Sequence, residues 1–419
     1  MFNKMSQFIL VDPSIEGFGG HYFAYADSIL RVIPEYEMEP QLFTNQKFRC
    51  EPRIPYPVTP LFRNTFWEGL AHYYIKQDLG FSGVKSARDL YRLGKWALYG
   101  KAQTEKKRDA FHEDIVRGLG IVSASGADQV FMPTTSPVEL EAICNIVETE
   151  INLPKRWHLL FRRDADSFAT ANSNVWKLFS RAKDNSKGID VRFYSDTEQL
   201  SAEYASRSNC QFRTLPIPHT GGKIKELSSE AFTVSYLGDM RKEKGYQHLP
   251  YILKMLQEKY PDFEKINFFI QSNPASAAEK EAIAAAKEIE SMHLCNVTQV
   301  FEPLSEEEYR DRLSASDLIL LPYDAAAYRN RSSGIFAEAI ALGIPVIVPD
   351  GTWMSSQMRR YFTEGDANTK FTEIERIPQI VVDVLDNCKV YKKSLSYVSH
   401  KWLEFHSSEN LLKLLFNKD

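Results

Sequence analysis

At 419 residues the chain is longer than one ordinary hydrophobic core supports, and two domains of roughly 200 residues each follow from its length. A composition of 43% hydrophobic and 25% charged residues is that of an ordinary globular protein and argues against disorder, and a net charge of -4 offers no whole-molecule field for a polyanion, which argues against a dedicated nucleic-acid binder. Five cysteines scattered without a CxxC pair indicate neither a disulfide framework nor a zinc knuckle, and they suit a reducing cytoplasm.

The opening segment MFNKMSQFILVDPS has a four-residue apolar run before Asp12 and Pro13, short of an export signal or of the ~20 residues that span a bilayer. A cytoplasmic protein is expected. Short β-rich apolar runs then alternate with helical patterns, the signature of parallel sheets wound with helices on both faces. The first set of expected strands is Phe8–Val11, Gln129–Met132, Trp157–Phe161, Val191–Tyr194 and Phe212–Leu215. Within it, residues 62–118 read as inserted helices rather than a βα unit. Their aromatic and basic side chains, including Trp96, Tyr99, Lys101, Lys106, Lys107 and Arg108, are compatible with peripheral membrane contact, although a solvated helical face explains them as well.

PIPHTGGK, residues 216–223, breaks any periodic pattern and reads as a linker. Two domains are expected, 1–218 and 219–400, with a C-terminal helix in 401–419 crossing back to the first. The second set of expected strands is Thr233–Leu237, Ile266–Gln271, Thr298–Phe301, Asp317–Leu321 and Pro345–Val348. Their spacing leaves room for one crossover helix each. The fold class is α/β, with two doubly wound Rossmann-like domains.

The most informative stretch is YRNRSSGIFAEAIALGIPVIVPD, residues 328–350. It follows the buried strand DLILL, and ligands of doubly wound sheets bind at the carboxyl ends of strands. Ser332 or Ser333 can cap a helix whose free N–H groups attract an anion. Gly334 permits close backbone approach, Arg331 adds a full charge, and Gly343 ends the helix. Glu338 lies four residues after Gly334, ~6 Å along the same helix face, placed to accept hydrogen bonds from hydroxyls beside a bound phosphate. A phosphate next to a vicinal diol describes a nucleotide ribose.

RSSGIFAEAIALGIPVIVPD resembles the glutamate-centred donor motif of GT-B glycosyltransferases, in particular glycosyltransferase family 4. The resemblance places Glu338 at the ribose-binding glutamate. Asn330 falls where the family has its earlier glutamate, near the donor sugar. VSYLGDMRKEKGYQHLPYIL, residues 234–253, resembles the family's strand and phosphate loop: Lys244 matches the phosphate-binding lysine, Asp239 stands in place of the usual arginine, and Arg241 is expected to carry that charge. Fixed cations there would stabilise a sugar diphosphate leaving group as its glycosidic bond breaks. After the first strand, Gly19, Gly20 and His21 fit the family's loop over donor and acceptor, and Arg163 and Asp164 occupy the position of a His-Asp pair that contacts the donor sugar. Asp164-Ala165-Asp166 also reads as DxD, though with cations and a helix terminus available for phosphates no metal is expected.

The resemblance implies two domains facing across a cleft and a retaining transfer of sugar from a UDP- or GDP-sugar to a saccharide or glycolipid acceptor, without cofactor or metal. Surface polysaccharide or glycoconjugate synthesis is the usual setting. A nucleotide-sugar epimerase of the same fold, or a non-catalytic binding protein, fits the same residues.

Overall fold

The computed structural model describes residues 5–18, 21–66, 87–169, 173–219, 232–274, 279–362 and 369–417, without the side chains of 21 and 87–102. The chain divides into two compact units, Met1–Pro216 with Ser408–Asp419, and Ile217–Ser407.

In the first unit seven described strands form one parallel sheet, ordered β3-β2-β1-β4-β5-β6-β7. They are β1 (Gln7–Val11), β2 (Glu39–Asn45), β3 (Val58–Phe62), β4 (Gln129–Met132), β5 (Arg156–Phe161), β6 (Asp190–Ser195) and β7 (Phe212–Thr214). The all-apolar run of β1 is fully buried because both faces of the sheet are covered. Ile9 and Val11 pack on one side with Phe111, Ile115 and Leu119, while Phe8 and Leu10 pack on the other with Leu411, Leu412 and Leu415. The last three lie on the C-terminal helix Ser408–Phe416. Phe416 sits edge-on to Phe8 at 5.7 Å between ring centres, and Ser408 Oγ donates to Ser28 Oγ. The preceding helix, Cys388–Phe405, ends within the second unit.

Of the segment expected to hold inserted helices, 62–118, residues 67–86 lie outside the described residues. Residue 62 closes β3, and Ala87–Ile121 is one helix on the crossover from β3 to β4. Its later half carries an apolar stripe, Phe111, Ile115 and Leu119, that packs onto the sheet. Lys106 is exposed, and Arg108 pairs with Glu141 at 2.8 Å. The strands β2 and β3 are not apparent from periodicity. Pro60 interrupts β3, which a sheet tolerates at an edge, the place β3 occupies.

The second unit holds six described strands, also parallel, ordered β10-β9-β8-β11-β12-β13. They are β8 (Phe232–Tyr236), β9 (Ile266–Gln271), β10 (Val297–Val300), β11 (Leu318–Leu320), β12 (Val346–Pro349) and β13 (Lys370–Phe371). Leu318 and Leu320 face one core, and Ile319 and Leu321 the other. All five cysteines are free thiols, and among the described residues no helix is long and apolar enough to cross a membrane.

Candidate active site

In the second sheet the strand order reverses between β8 and β11, so the loops leaving those strands diverge and open a crevice at their carboxyl ends. The two loops are held together at one point. Gly245 has φ of 71°, and a Cβ there would lie 1.7 Å from the Pro322 carbonyl oxygen. Only glycine permits both the conformation and the approach. The Asp324 N–H also donates to the Glu243 carbonyl at 2.9 Å.

This junction gathers charge. Arg241 Nη2 lies 3.1 Å from Asp239 Oδ2, and Lys244 Nζ lies 3.4 Å from the same oxygen. Arg241 Nη1 is 3.8 Å and Arg331 Nη1 3.4 Å from Glu243. Three cations therefore share two carboxylates. The Arg331 guanidinium also rests over the Tyr328 ring at 4.8 Å, and Arg241 Nε is buried without a hydrogen-bond partner among the described residues. Burial lowers the Lys244 pKa, outweighing the attraction of Asp239, so its ammonium has already shed much of its water. Tyr328 is pushed up to about 12, chiefly by burial.

The helix Gly334–Ala341 begins beside this group. Ser333 is its N-cap, its hydroxyl accepting from the Phe336 N–H at 3.3 Å. Ser332 and Asn330 are half-buried in the loop before it, and Gly334 is exposed with open space around its Cβ position. The helix stops at Gly343, φ 67°, where the Ile344 N–H reaches back to the Ala339 carbonyl. One turn into the helix, Glu338 is half-buried and its Oε2 accepts from the Tyr309 hydroxyl at 2.5 Å. That bond fixes the carboxylate's direction.

The structure thus brings Arg241, Lys244, Arg331, Ser333 and Gly334 to one sheet edge, with Glu338 a turn away. Sequence reasoning missed Glu243, which links the two loops, and Tyr309, which no local pattern marks. The other expected residues belong to the first unit. Arg163 is half-buried, 5.7 Å from the Phe66 ring, and Asp164 precedes the short helix Ala165–Phe168. Asp166 is exposed and pairs with Arg207 at 2.7 Å. His21 starts the helix His21–Leu30, while Gly19 and Gly20 lie outside the described residues.

No family model matches the chain, and neither does any curated protein compared with it. Solved structures do. An N-terminal domain of trehalose-6-phosphate phosphatase from Candida albicans is 13% identical with a TM-score of 0.66, over 99% of this chain and 96% of that one. A trehalose-6-phosphate structure from E. coli bound with UDP-2-fluoro glucose is 11% identical with a TM-score of 0.66, over 99% and 100% of the two chains. Sucrose-phosphate synthase from Thermosynechococcus elongatus is 13% identical with a TM-score of 0.61, over 98% and 97%. These names point to trehalose- and sucrose-phosphate proteins rather than to family 4 in particular. Two Rossmann-like parallel sheets matched over nearly the whole length give this chain the GT-B fold.

Proposed function

We propose that the protein is a retaining GT-B glycosyltransferase, transferring a sugar from a UDP- or GDP-sugar to an acceptor hydroxyl in surface polysaccharide or glycoconjugate synthesis. The observation that carries this reading is the excess of cations at the β8/β11 edge, three against two carboxylates, beside a capped helix start. A diphosphate supplies the anion that balances it. Arg241, Lys244 and Arg331 hold the phosphates, the backbone at Ser332, Ser333 and Gly334 donates to them, and Glu338 accepts from the ribose. The E. coli neighbour's UDP-sugar supports a donor of this class.

As the glycosidic bond lengthens, negative charge moves onto the diphosphate, and cations fixed before the reaction stabilise that state without reorganising. The departing phosphate takes the acceptor's proton on the same face, so no separate base is required. The test is turnover of UDP- and GDP-sugars with and without added saccharide. Acceptor-dependent release of nucleoside diphosphate, lost in the Arg241→Ala/Lys244→Ala variant, supports transfer. Release without any acceptor, or full activity in the double variant, refutes it.

A further inference from the structure

The cations of the β8/β11 edge already carry anions of the protein's own. Lys244, Asp239, Arg241, Glu243 and Arg331 form a chain of alternating charge, each carboxylate set between two cations. Asp239 is the more tightly held of the two carboxylates. One oxygen, Oδ2, lies 3.1 Å from Arg241 Nη2 and 3.4 Å from Lys244 Nζ, the place an oxygen of a phosphate bridging those two groups would take. The residue stands where the sequence resemblance expects an arginine, so the charge at this position is reversed.

Two features let this carboxylate give way. Its main chain is anchored independently of its side chain, because the Asp239 carbonyl accepts from the Tyr236 hydroxyl at 3.1 Å and from the Arg241 N–H at 2.8 Å. Its side chain also keeps 36% exposure against 17% for Lys244, so rotation about the Cα–Cβ bond carries the carboxylate toward water while the ammonium stays in place. Glu243 differs on the first point: its main-chain carbonyl accepts from the Asp324 N–H, and its carboxylate spans Arg241 and Arg331 at the longer distances of 3.8 and 3.4 Å.

We infer that Asp239 is an internal counter-anion standing in for the diphosphate: in the free protein its carboxylate closes Arg241 and Lys244 on itself, and the donor binds by displacing it. This rests on the donor reading of the edge. A site that is open only part of the time binds its ligand more weakly by that fraction, so Asp239 sets the affinity for the diphosphate without touching the nucleoside. Removing the carboxylate should therefore tighten binding. A purely structural Asp239, needed to aim the two cations, would have the opposite effect, because its loss would leave them misplaced and weaken binding.

Calorimetry on the full chain tests it, with inorganic pyrophosphate, UDP, GDP, uridine and guanosine as probes. Asp239→Asn keeps the shape of the side chain and removes its charge; Asp239→Ser takes its place if the asparagine variant does not unfold cooperatively. The control is Asp324→Asn, which removes an equal charge from the same loop junction while its Oδ1 still accepts from the Ala327 N–H, away from Arg241 and Lys244. The expected result is pyrophosphate and one nucleoside diphosphate bound about fivefold or more tighter by Asp239→Asn, corresponding to a wild-type site open about one fifth of the time, with the bare nucleosides unchanged and Asp324→Asn within about twofold of wild type. Equal or weaker diphosphate binding in Asp239→Asn, or an equal gain in Asp324→Asn, overturns the inference. The two readings fail differently. A gain for pyrophosphate with no nucleotide bound upholds the counter-anion and sinks the donor reading, nucleoside diphosphate binding without a gain sinks the counter-anion alone, and no binding of any probe sinks both.

Discussion

Replacing Lys244 by alanine removes one of three cations at the β8/β11 edge and leaves Arg241 and Arg331 against Asp239 and Glu243, so the local balance falls from one excess positive charge to none. An ammonium ~4 Å from a phosphate at an effective dielectric near 20 contributes about 4 kcal/mol. The lysine is desolvated in the free protein, so little further dehydration opposes binding, and a net loss of about 2–4 kcal/mol is expected. That is roughly a 30- to 700-fold rise in Kd for a nucleoside diphosphate. The bare nucleoside should be nearly unaffected. Calorimetry with UDP and uridine, and with GDP and guanosine, measures the difference directly. Diphosphates that bind the variant within about threefold of the wild type would refute the phosphate role. The same burial gives a pH signature. The folded-state pKa of Lys244 lies below 10.5, so the folded protein holds fewer protons than the unfolded chain between those two values, and stability rises with pH across that window. Diphosphate affinity should fall as pH rises through the lowered pKa, and Lys244→Arg should abolish that fall.

Three further outcomes follow. Tyr309→Phe removes the hydrogen bond that aims Glu338, and preference for a ribonucleoside diphosphate over its 2′,3′-dideoxy analogue should drop about tenfold, since hydrogen bonds to charged groups contribute about 1.5–3 kcal/mol; an unchanged preference removes Glu338 from ribose recognition. Gly245→Ala sets a Cβ against Pro322 O at a positive φ, and urea unfolding should show a loss on the order of 3 kcal/mol or more, whereas a loss under about 0.5 kcal/mol contradicts the loop junction. Burial raises Asp12 from 3.8 to about 6, so the folded state holds the extra proton and stability falls as pH climbs from about 4 to about 6. Asp12→Asn keeps an acceptor for the Ser14 N–H and should gain up to about 3 kcal/mol at pH 7 relative to pH 4, read by urea unfolding at both; equal effects at the two pH values contradict the raised pKa of Asp12 in the folded state.

The strands that sequence makes visible, such as β1, β11 and β12, are buried on both faces and therefore read as apolar runs. Those it hides lie toward the edges: β3 with Pro60 inside it, and β13 with two residues. Ser333, Gly334 and Gly343 were legible because capping and termination are local, dictated by side-chain chemistry a few residues apart. Tyr309 and Glu338 are 29 residues apart and meet only through helix packing, so no local pattern could pair them. In the first unit the sequence pointed to Arg163, while the fold turns its neighbour Arg162 toward Tyr25 and Asp196. Both arginines lie just past the end of β5, where strand alternation no longer fixes which one faces inward.

The most direct measurement is a crystal of the protein grown with UDP or GDP. Phosphate oxygens within hydrogen-bonding distance of Arg241, Lys244 and the N–H groups opening the helix Gly334–Ala341, with a ribose hydroxyl on Glu338, is the expected result. A diphosphate bound elsewhere while those three cations stay closed on Asp239 and Glu243 would contradict it.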